Sequence, residues 1–248
     1  MLRALRKLLG RSDLFSFNLV RRDRWIAAQA RLLPSGTRVL DVGAGSAPYR
    51  ALFAHCEYWT QDFAPLKPEQ LRHGGYTQID YTGDAAAIGV ADGSFDCVVC
   101  TEVIEHHPEP IRVVREFARV LGPGGRLILT APLGSGIHQE PFHYYGGFTP
   151  YWYERFLAEA GFAAIRVEAN AGSLRFFAQE SIRFLLLTRP FGALPAWISV
   201  LWLPLWLLLL PLLGLLIPVA ARVLDRFDTE QRFTIGYHVT AYRKESGV

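Results

Sequence analysis

The chain has 248 residues, half of them hydrophobic, with Phe, Trp and Tyr making up 13%, enough for one α/β domain with a sizeable core and an appendage. A formal net charge of +3 is too small to suggest nucleic acid on its own, and no nucleic-acid partner is expected. Three cysteines, Cys56, Cys97 and Cys100, form no disulfide framework and point to a reducing compartment.

The chain opens on "MLRALRKLLGR", with Leu2, Leu5, Leu8 and Leu9 at helical spacing. It has neither the apolar core nor the cleavage site of a secretory signal. Both an amphipathic helix on an anionic membrane and an ordinary capping helix fit it. A helix is expected from Asp23 to Leu33, ended by "LPSG". A strand follows over Arg38–Val42, then a glycine loop and a short helix around Tyr49–His55. "EYWTQD" reads as a second strand ending in Asp62, and "YTQIDYTGD" as a third ending at Asp84. "FDCVVCT" reads as a fourth, with Cys97 and Cys100 as core thiols. A helix is expected over Ile111–Leu121, then "PGGRLILTAP" as a turn into a fifth strand. Tyr151–Ala160 reads as a helix closed by Gly161, and "AAIRVEA" as a sixth strand. "RFTIGYHVTAYRK" near the end is a seventh, rich in β-branched and aromatic residues. Alternating strands and helices imply a mostly parallel, doubly covered sheet.

In the first turn, "VLDVGAGSAPYR", Gly43 and Gly45 are followed by Pro48, where a dinucleotide fingerprint wants a third glycine. The P-loop pattern is absent. Asp41 would repel a pyrophosphate but suits a cation. A ligand with adenosine at one end and a positively charged amino acid at the other fits these residues, which describes S-adenosylmethionine.

Taken in order, "VLDVGAG", Asp62, "GDAAAIGVADGSFDCVVCTEVIEHHPEP" and "REFARVLGPGGRLILTAPL" resemble the class I S-adenosylmethionine-dependent methyltransferases of the broad type 11 kind, over roughly residues 35 to 170 plus the last strand. The resemblance implies a Rossmann-like, seven-stranded, mostly parallel sheet with an antiparallel last strand. It implies that Asp41, Gly43 and Gly45 meet the methionine part of the cofactor. It places Asp62 on the ribose hydroxyls, Asp84 and Ala85 at the adenine, and Thr101 and Glu102 facing the methyl donor. Ile88-Gly89 stands where the family usually has Leu-Pro, a loosening of the adenine loop.

Glu102, Glu105 and His106 share one face if their segment turns helically, and His138 and His143 come later. Two carboxylates and an imidazole suit Mg²⁺, Mn²⁺ or Zn²⁺, and similar residues serve metal-dependent O-methyltransferases of quinone biosynthesis and of small-RNA ends. The same pattern also occurs in methyltransferases without metal, where the histidine acts as a base or shapes the loop. His106, Glu105 and His143 are the catalytic candidates. The aromatic segment "HQEPFHYYGGFTPYWYERF" falls where the family places its acceptor pocket, with His138, Glu140, His143 and Tyr144 as contacts.

From Pro190 to Ala221 no charged residue or histidine occurs, a run that by length alone reads as a transmembrane helix. A single crossing would strand the seventh strand on the wrong side of the bilayer, away from its own sheet. Pro195, Pro204, Pro211 and Pro218 are expected to break the run into pieces too short to span. Arg183 and Arg189 before it, with Arg222 and Arg226 after it, fit two cytoplasmic flanks. The expectation is an apolar helical hairpin, re-entrant or in the membrane plane, with a hydrophobic lid or dimer contact as the rival. The domains follow: an N-terminal helical region to residue 33, a methyltransferase domain over 34–175 and 230–248, and an insert over 176–229. The acceptor is then lipidic or lipid-linked (a quinone, a phospholipid or a polyprenyl-linked glycan) and is methylated on the cytoplasmic side of the membrane. A soluble enzyme acting on a small metabolite and a non-catalytic membrane adaptor are the other two readings.

Overall fold

The computed structural model describes residues 12–63, 66–192 and 194–245; the basic, apolar segment over residues 1–11 lies outside them. The chain divides into two compact units, one of residues 22–168 and 236–248, the other of residues 1–21 and 169–235.

The first unit is built on a seven-stranded sheet. Its strands are β1 (Arg38–Val42), β2 (Glu57–Asp62), β3 (Tyr81–Thr82), β4 (Phe95–Thr101), β5 (Leu121–Pro132), β6 (Phe162–Ala169) and β7 (Gly236–Arg243). Their order is β3-β2-β1-β4-β5-β7-β6. β1 pairs parallel with both β2 and β4, which sets Asp41 opposite Thr60 and Val99. β7 is antiparallel to β5, with Leu129 opposite Val239. β1 and β4 are central and read as continuous apolar runs, as strands covered on both faces must. Val39, Cys97 and Ile128 are fully buried on one face, together with Ile26 of helix α1 (Phe17–Ala30) and Phe53. The two thiols of β4 are core groups, 0% exposed.

Helix α2 (Pro110–Val120) leads without a loop into β5, and α3 (Pro150–Glu159) precedes β6. Thr149 caps α3 through a bond from the Trp152 N–H. Two expected elements are shorter. The helix around Tyr49–His55 is a single 3₁₀ turn, Arg50–Phe53. The third strand keeps only Tyr81 and Thr82. There the Asp80 carboxylate accepts from both the N–H and the hydroxyl of Thr60, each at 2.8 Å, a side-chain bond standing in for a ladder bond.

The second unit holds the apolar insert, a helical hairpin between β6 and β7 in sequence. Its first arm is α4 (Ser173–Leu187), and a turn follows. The second arm runs through α5 (Ala196–Pro211), one π-turn (Leu212–Leu216) and α6 (Ile217–Leu224). The prolines do not break this arm, which is helical for 32 residues, Ala196–Phe227. They are absorbed locally. Pro211 is followed by the π-turn, a common way to relieve a missing backbone donor. Pro218 brings no N–H to the preceding turn, and the Ser181 hydroxyl donates instead to the Leu213 carbonyl at 2.9 Å. Trp202 and Trp206 donate their indole N–H to the carbonyls of Thr188 and Leu185 at 2.9 and 3.1 Å, fastening the arms near the turn. At the base, Asp225 accepts from the N–H groups of Gly172 and Arg175 at 2.9 and 3.0 Å, and Asp228 from that of Ser173 at 2.6 Å. These carboxylates satisfy the free donors at the start of α4. Arg189 therefore sits at the turn and Arg222 near the base, so the positive flanks lie at opposite ends of one helix.

Candidate active site

The site forms at the carboxyl ends of β1, β2 and β4, where an open parallel sheet places its ligands. It is a cavity of about 500 Å³ lined by Asp41, Gly43, Gly45, Asp62, Asp84, Ala85, Thr101 and Glu102, among others. All eight positions expected to meet the cofactor therefore share one cavity, of the size a small molecule needs.

Gly43 turns the chain at φ +69°, and a Cβ there would lie 2.3 Å from Val103. Only glycine lets the loop pass this close to β4's exit. The Gly43 and Ala44 N–H groups both donate to the Gln61 carbonyl, at 2.9 and 3.0 Å. One oxygen of Asp62 accepts from the Gly45 N–H at 2.9 Å, so this carboxylate holds the loop as well as facing the cavity. Buried Asp41 accepts a short bond from the Tyr58 hydroxyl. Burial pushes its pKa up to about 7, against the pull of that bond, and the nearby Asp62 charge adds to the rise. Such an acid is ready to ionise when a cation arrives.

Asp84 accepts from the Ala86 N–H at 2.7 Å and faces the His107 ring at 2.8 Å. Partial burial works against its charge, but these two bonds outweigh it and hold the acid below its ordinary range. Ile88-Gly89 does not leave the adjoining loop loose. The Ile88 N–H donates to Glu116 at 2.6 Å, and its carbonyl accepts from Arg119 at 2.8 Å.

Glu102 is a non-glycine residue at φ +55°, a strained conformation that concentrates at functional sites. Its neighbours hold it there. The Glu102 N–H donates to the Thr130 carbonyl at 2.9 Å, the Thr130 hydroxyl donates to its carboxylate at 2.9 Å, and Arg22 pairs with it at 3.1 Å. Arg22 was not visible as a site residue in the sequence. Neither were Tyr49 and Arg72, which also line the cavity and are joined through Asp23. No motif marks them, because α1 brings Arg22 in from far along the chain.

The proposed metal set does not converge. Glu102 is held by Thr130 and Arg22, and Glu105 is fully buried with neither carboxylate oxygen bonded. Burial, and then the neighbouring Glu102, push the Glu105 pKa well above its ordinary value. His106 lines the cavity with its Nδ1 at 2.5 Å from the Phe142 carbonyl. A carbonyl only accepts, so Nδ1 carries the proton and Nε2 the lone pair. Burial lowers the His106 pKa to about 4. Tyr144 lines the cavity, whereas His138, Glu140 and His143 stand outside its lining.

A sheet of this order, with glycines and acids at these strand ends, defines the class I S-adenosylmethionine-dependent methyltransferase fold. Residues 40–129 match the family model described as "Methyltransferase domain". A ubiquinone biosynthesis O-methyltransferase of Xanthomonas oryzae pv. oryzae is 38% identical over 124 residues, 47% of this chain and 51% of that one. The protein of the same name from Xanthomonas axonopodis pv. citri is 37% identical over 110 residues, 41% of this chain and 45% of that one. The chain thus spans about half the length of the curated relatives it matches. Two solved structures share the fold. A putative sarcosine dimethylglycine methyltransferase from Galdieria sulphuraria has a TM-score of 0.54 at 18% identity, covering 91% of this chain and 86% of that one. An S-adenosylmethionine-dependent methyltransferase from Mesorhizobium loti has a TM-score of 0.51 at 19% identity, covering 89% and 98%.

The residues present fit the cofactor. Beyond the bare glycine backbone and the three acids, the Ser46 hydroxyl and the Gln61 side-chain oxygen line the same cavity, buried and without a partner.

Proposed function

We propose that the chain methylates a hydroxyl of a lipidic acceptor, a quinone precursor first among them, at the surface of a membrane. The observation that carries the reading is a methyltransferase cavity in a chain that also bears a 32-residue apolar helix whose most apolar stretch is wholly unburied. The similarity to O-methyltransferases of ubiquinone biosynthesis supports the reaction type and the acceptor class.

In this reading S-adenosylmethionine supplies an electrophilic methyl group. Asp41 would ionise against the cofactor's amino group, Asp62 would accept from its ribose hydroxyls, and Asp84 with Ala85 would border the adenine. Thr101 and Glu102 face the transferring end, with Glu102 fixed by Thr130 and Arg22. The acceptor hydroxyl must lose its proton as the oxygen–carbon bond forms. That step is assigned to the His106 side of the cavity, where the unprotonated Nε2 is available. Glu105 is fully buried, its Oε1 3.7 Å from Nε2, and is assigned no contact with the acceptor.

The hairpin associates with the membrane from the cytoplasmic side without crossing it. Its second arm is long enough to span, at roughly 1.5 Å per residue, but the first arm carries Arg175, Gln179, Glu180 and Arg183, and the arms meet again at Asp225. An in-plane hairpin satisfies both facts. Leu201, Leu208 and Leu186, exposed at 74%, 71% and 69%, belong to an apolar surface too large for a soluble monomer. A hydrophobic lid or a dimer contact would instead keep the full chain soluble without detergent. Methyl transfer from labelled S-adenosylmethionine into lipid extracts, followed by identification of the labelled species, tests the reading.

A further inference from the structure

The His106, His138 and His143 rings converge although they come from two loops. Their centroids lie 4.7 Å (His106–His138), 4.6 Å (His138–His143) and 5.5 Å (His106–His143) apart. One nitrogen of each ring lies within 4.8 Å of the other two. Among the described residues this is the one group of histidines, cysteines and acids gathered closely enough to share an ion.

The hydrogen bonds decide which nitrogens are offered. His106 and His138 each direct Nδ1 at a carbonyl, that of Phe142 at 2.5 Å and that of Gly136 at 2.9 Å. Both carbonyls fix the proton on Nδ1 and leave Nε2 as a bare donor, the arrangement that orients a metal-ligating histidine. His106 Nε2 and His143 Nδ1 are buried polar atoms without a hydrogen-bond partner. Such groups are rare unless something takes their lone pairs.

We propose that His106, His138 and His143 form a three-histidine site for a transition-metal ion of the Zn²⁺ kind, beside the cavity that His106 lines. Three imidazoles suit Zn²⁺ and its neighbours, whereas Mg²⁺ wants oxygen donors. Tetrahedral Zn–N bonds of about 2.05 Å put ligand nitrogens about 3.3 Å apart. The three nitrogens, now within 4.8 Å of one another, would close on the ion to reach that distance. Three protein ligands leave a fourth position open, as in catalytic rather than structural zinc sites. This refines the acceptor-activation step and, in its chemical role only, rests on the methyltransferase reading. His106 then acts through the ion, which lowers the pKa of a hydroxyl bound to it. The ion-binding claim stands separately, on the three rings.

The test uses the full chain in detergent, stripped of metal and titrated with Zn²⁺ by calorimetry and with Co²⁺ by visible absorption. S-adenosylmethionine binding is measured on the same samples. One ion per chain is expected, with the intense visible bands of four-coordinate Co²⁺. His138→Ala and His143→Ala should each weaken binding by more than about tenfold, the loss already typical when only an outer-shell partner goes. His73→Ala, which lies outside the cluster, should leave it unchanged. Cofactor affinity should be the same in all variants. Zn²⁺ binding that is absent, or unaltered in His138→Ala and His143→Ala, overturns the site while cofactor binding persists. A parent chain that takes up zinc but no S-adenosylmethionine overturns the methyltransferase reading and leaves the ion site standing.

Discussion

The Gly45 N–H donates to the Asp62 carboxylate at 2.9 Å, so the acid at the end of β2 both shapes the glycine turn and faces the cavity that turn creates. Asp62→Ala should weaken S-adenosylmethionine binding by about 1.5–3 kcal/mol, the scale of hydrogen bonds to a charged group. Asp62→Asn can still accept from Gly45 through its side-chain oxygen and should lose less. Calorimetry of the three proteins checks the order; an alanine variant that binds like the parent removes Asp62 from the site.

Asp41 makes cofactor binding depend on pH. Its pKa is raised to about 7 in the folded chain, so the folded state holds this proton more tightly than the unfolded state does. Its contribution to stability is full below the unfolded value and is lost as pH rises through about 7. A bound cationic amino group favours the ionised form, so binding releases a proton. Affinity should rise roughly tenfold between about pH 5.5 and pH 7, below the range where an α-amino group itself titrates. Asp41→Asn should flatten that slope. Calorimetry in buffers of different ionisation enthalpy reads the proton directly, and a flat profile in the parent would contradict the assignment.

Gly43→Ala should damage both fold and site. Its Cβ would lie 2.3 Å from Val103, and φ is +69°. The clash and the strain should together cost about 1–3 kcal/mol, with cofactor binding lost at ambient temperature. Adding Val103→Ala removes the clash but not the strain, so the double variant should recover part of the thermal stability. Equal melting temperatures for the single and double variants would show that Val103 is not the obstacle.

Much of this was legible in the sequence, for reasons particular residues make plain. Asp41, Gly43 and Gly45 announce themselves because a buried strand ending in an acid and two glycines has few other uses. Asp62 follows from a strand end, whereas Asp84, two residues past β3, was placed by the family resemblance. What stayed hidden was whatever depends on distant partners. Nothing in "FNLVRRDRW" says that Arg22 will meet Glu102, or that Glu102 will adopt a left-handed conformation to be met. The helical reading of Glu102, Glu105 and His106 grouped them, yet the chain makes only one 3₁₀ turn there, Ile104–His106, which buries Glu105. His106 joins instead with two histidines from the loop after β5. The prolines misled because their local cost is set by tertiary donors such as Ser181, which the sequence does not display.

The hairpin's exposed face is predicted to meet lipid. Leu201→Arg with Leu208→Arg places two charges at positions exposed at 74% and 71%, where neither leucine supports the fold. Each charge costs about 2.5–3.5 kcal/mol in a bilayer interior, so the variant should leave the membrane fraction while still binding S-adenosylmethionine. A variant that stays in the membrane fraction would contradict the assignment of this face.

The same hairpin should lie on one side. In a background with Cys56→Ser, cysteines introduced as Arg189→Cys at the turn and Arg222→Cys near the base should be labelled from the same face of sealed vesicles. Labelling from opposite faces would mean that the long arm crosses.

The most direct test of the whole account is methyl transfer in a membrane. The full chain is reconstituted in phospholipid vesicles with tritiated S-adenosylmethionine and a polyprenylated catechol, and the organic extract is counted and analysed. The account predicts protein-dependent label in an O-methyl ether of the catechol, lost in Asp62→Ala and strongly reduced when the prenyl tail is removed. A folded chain that binds the cofactor but transfers no label, or transfers it equally to the tail-less catechol in the absence of vesicles, would contradict it.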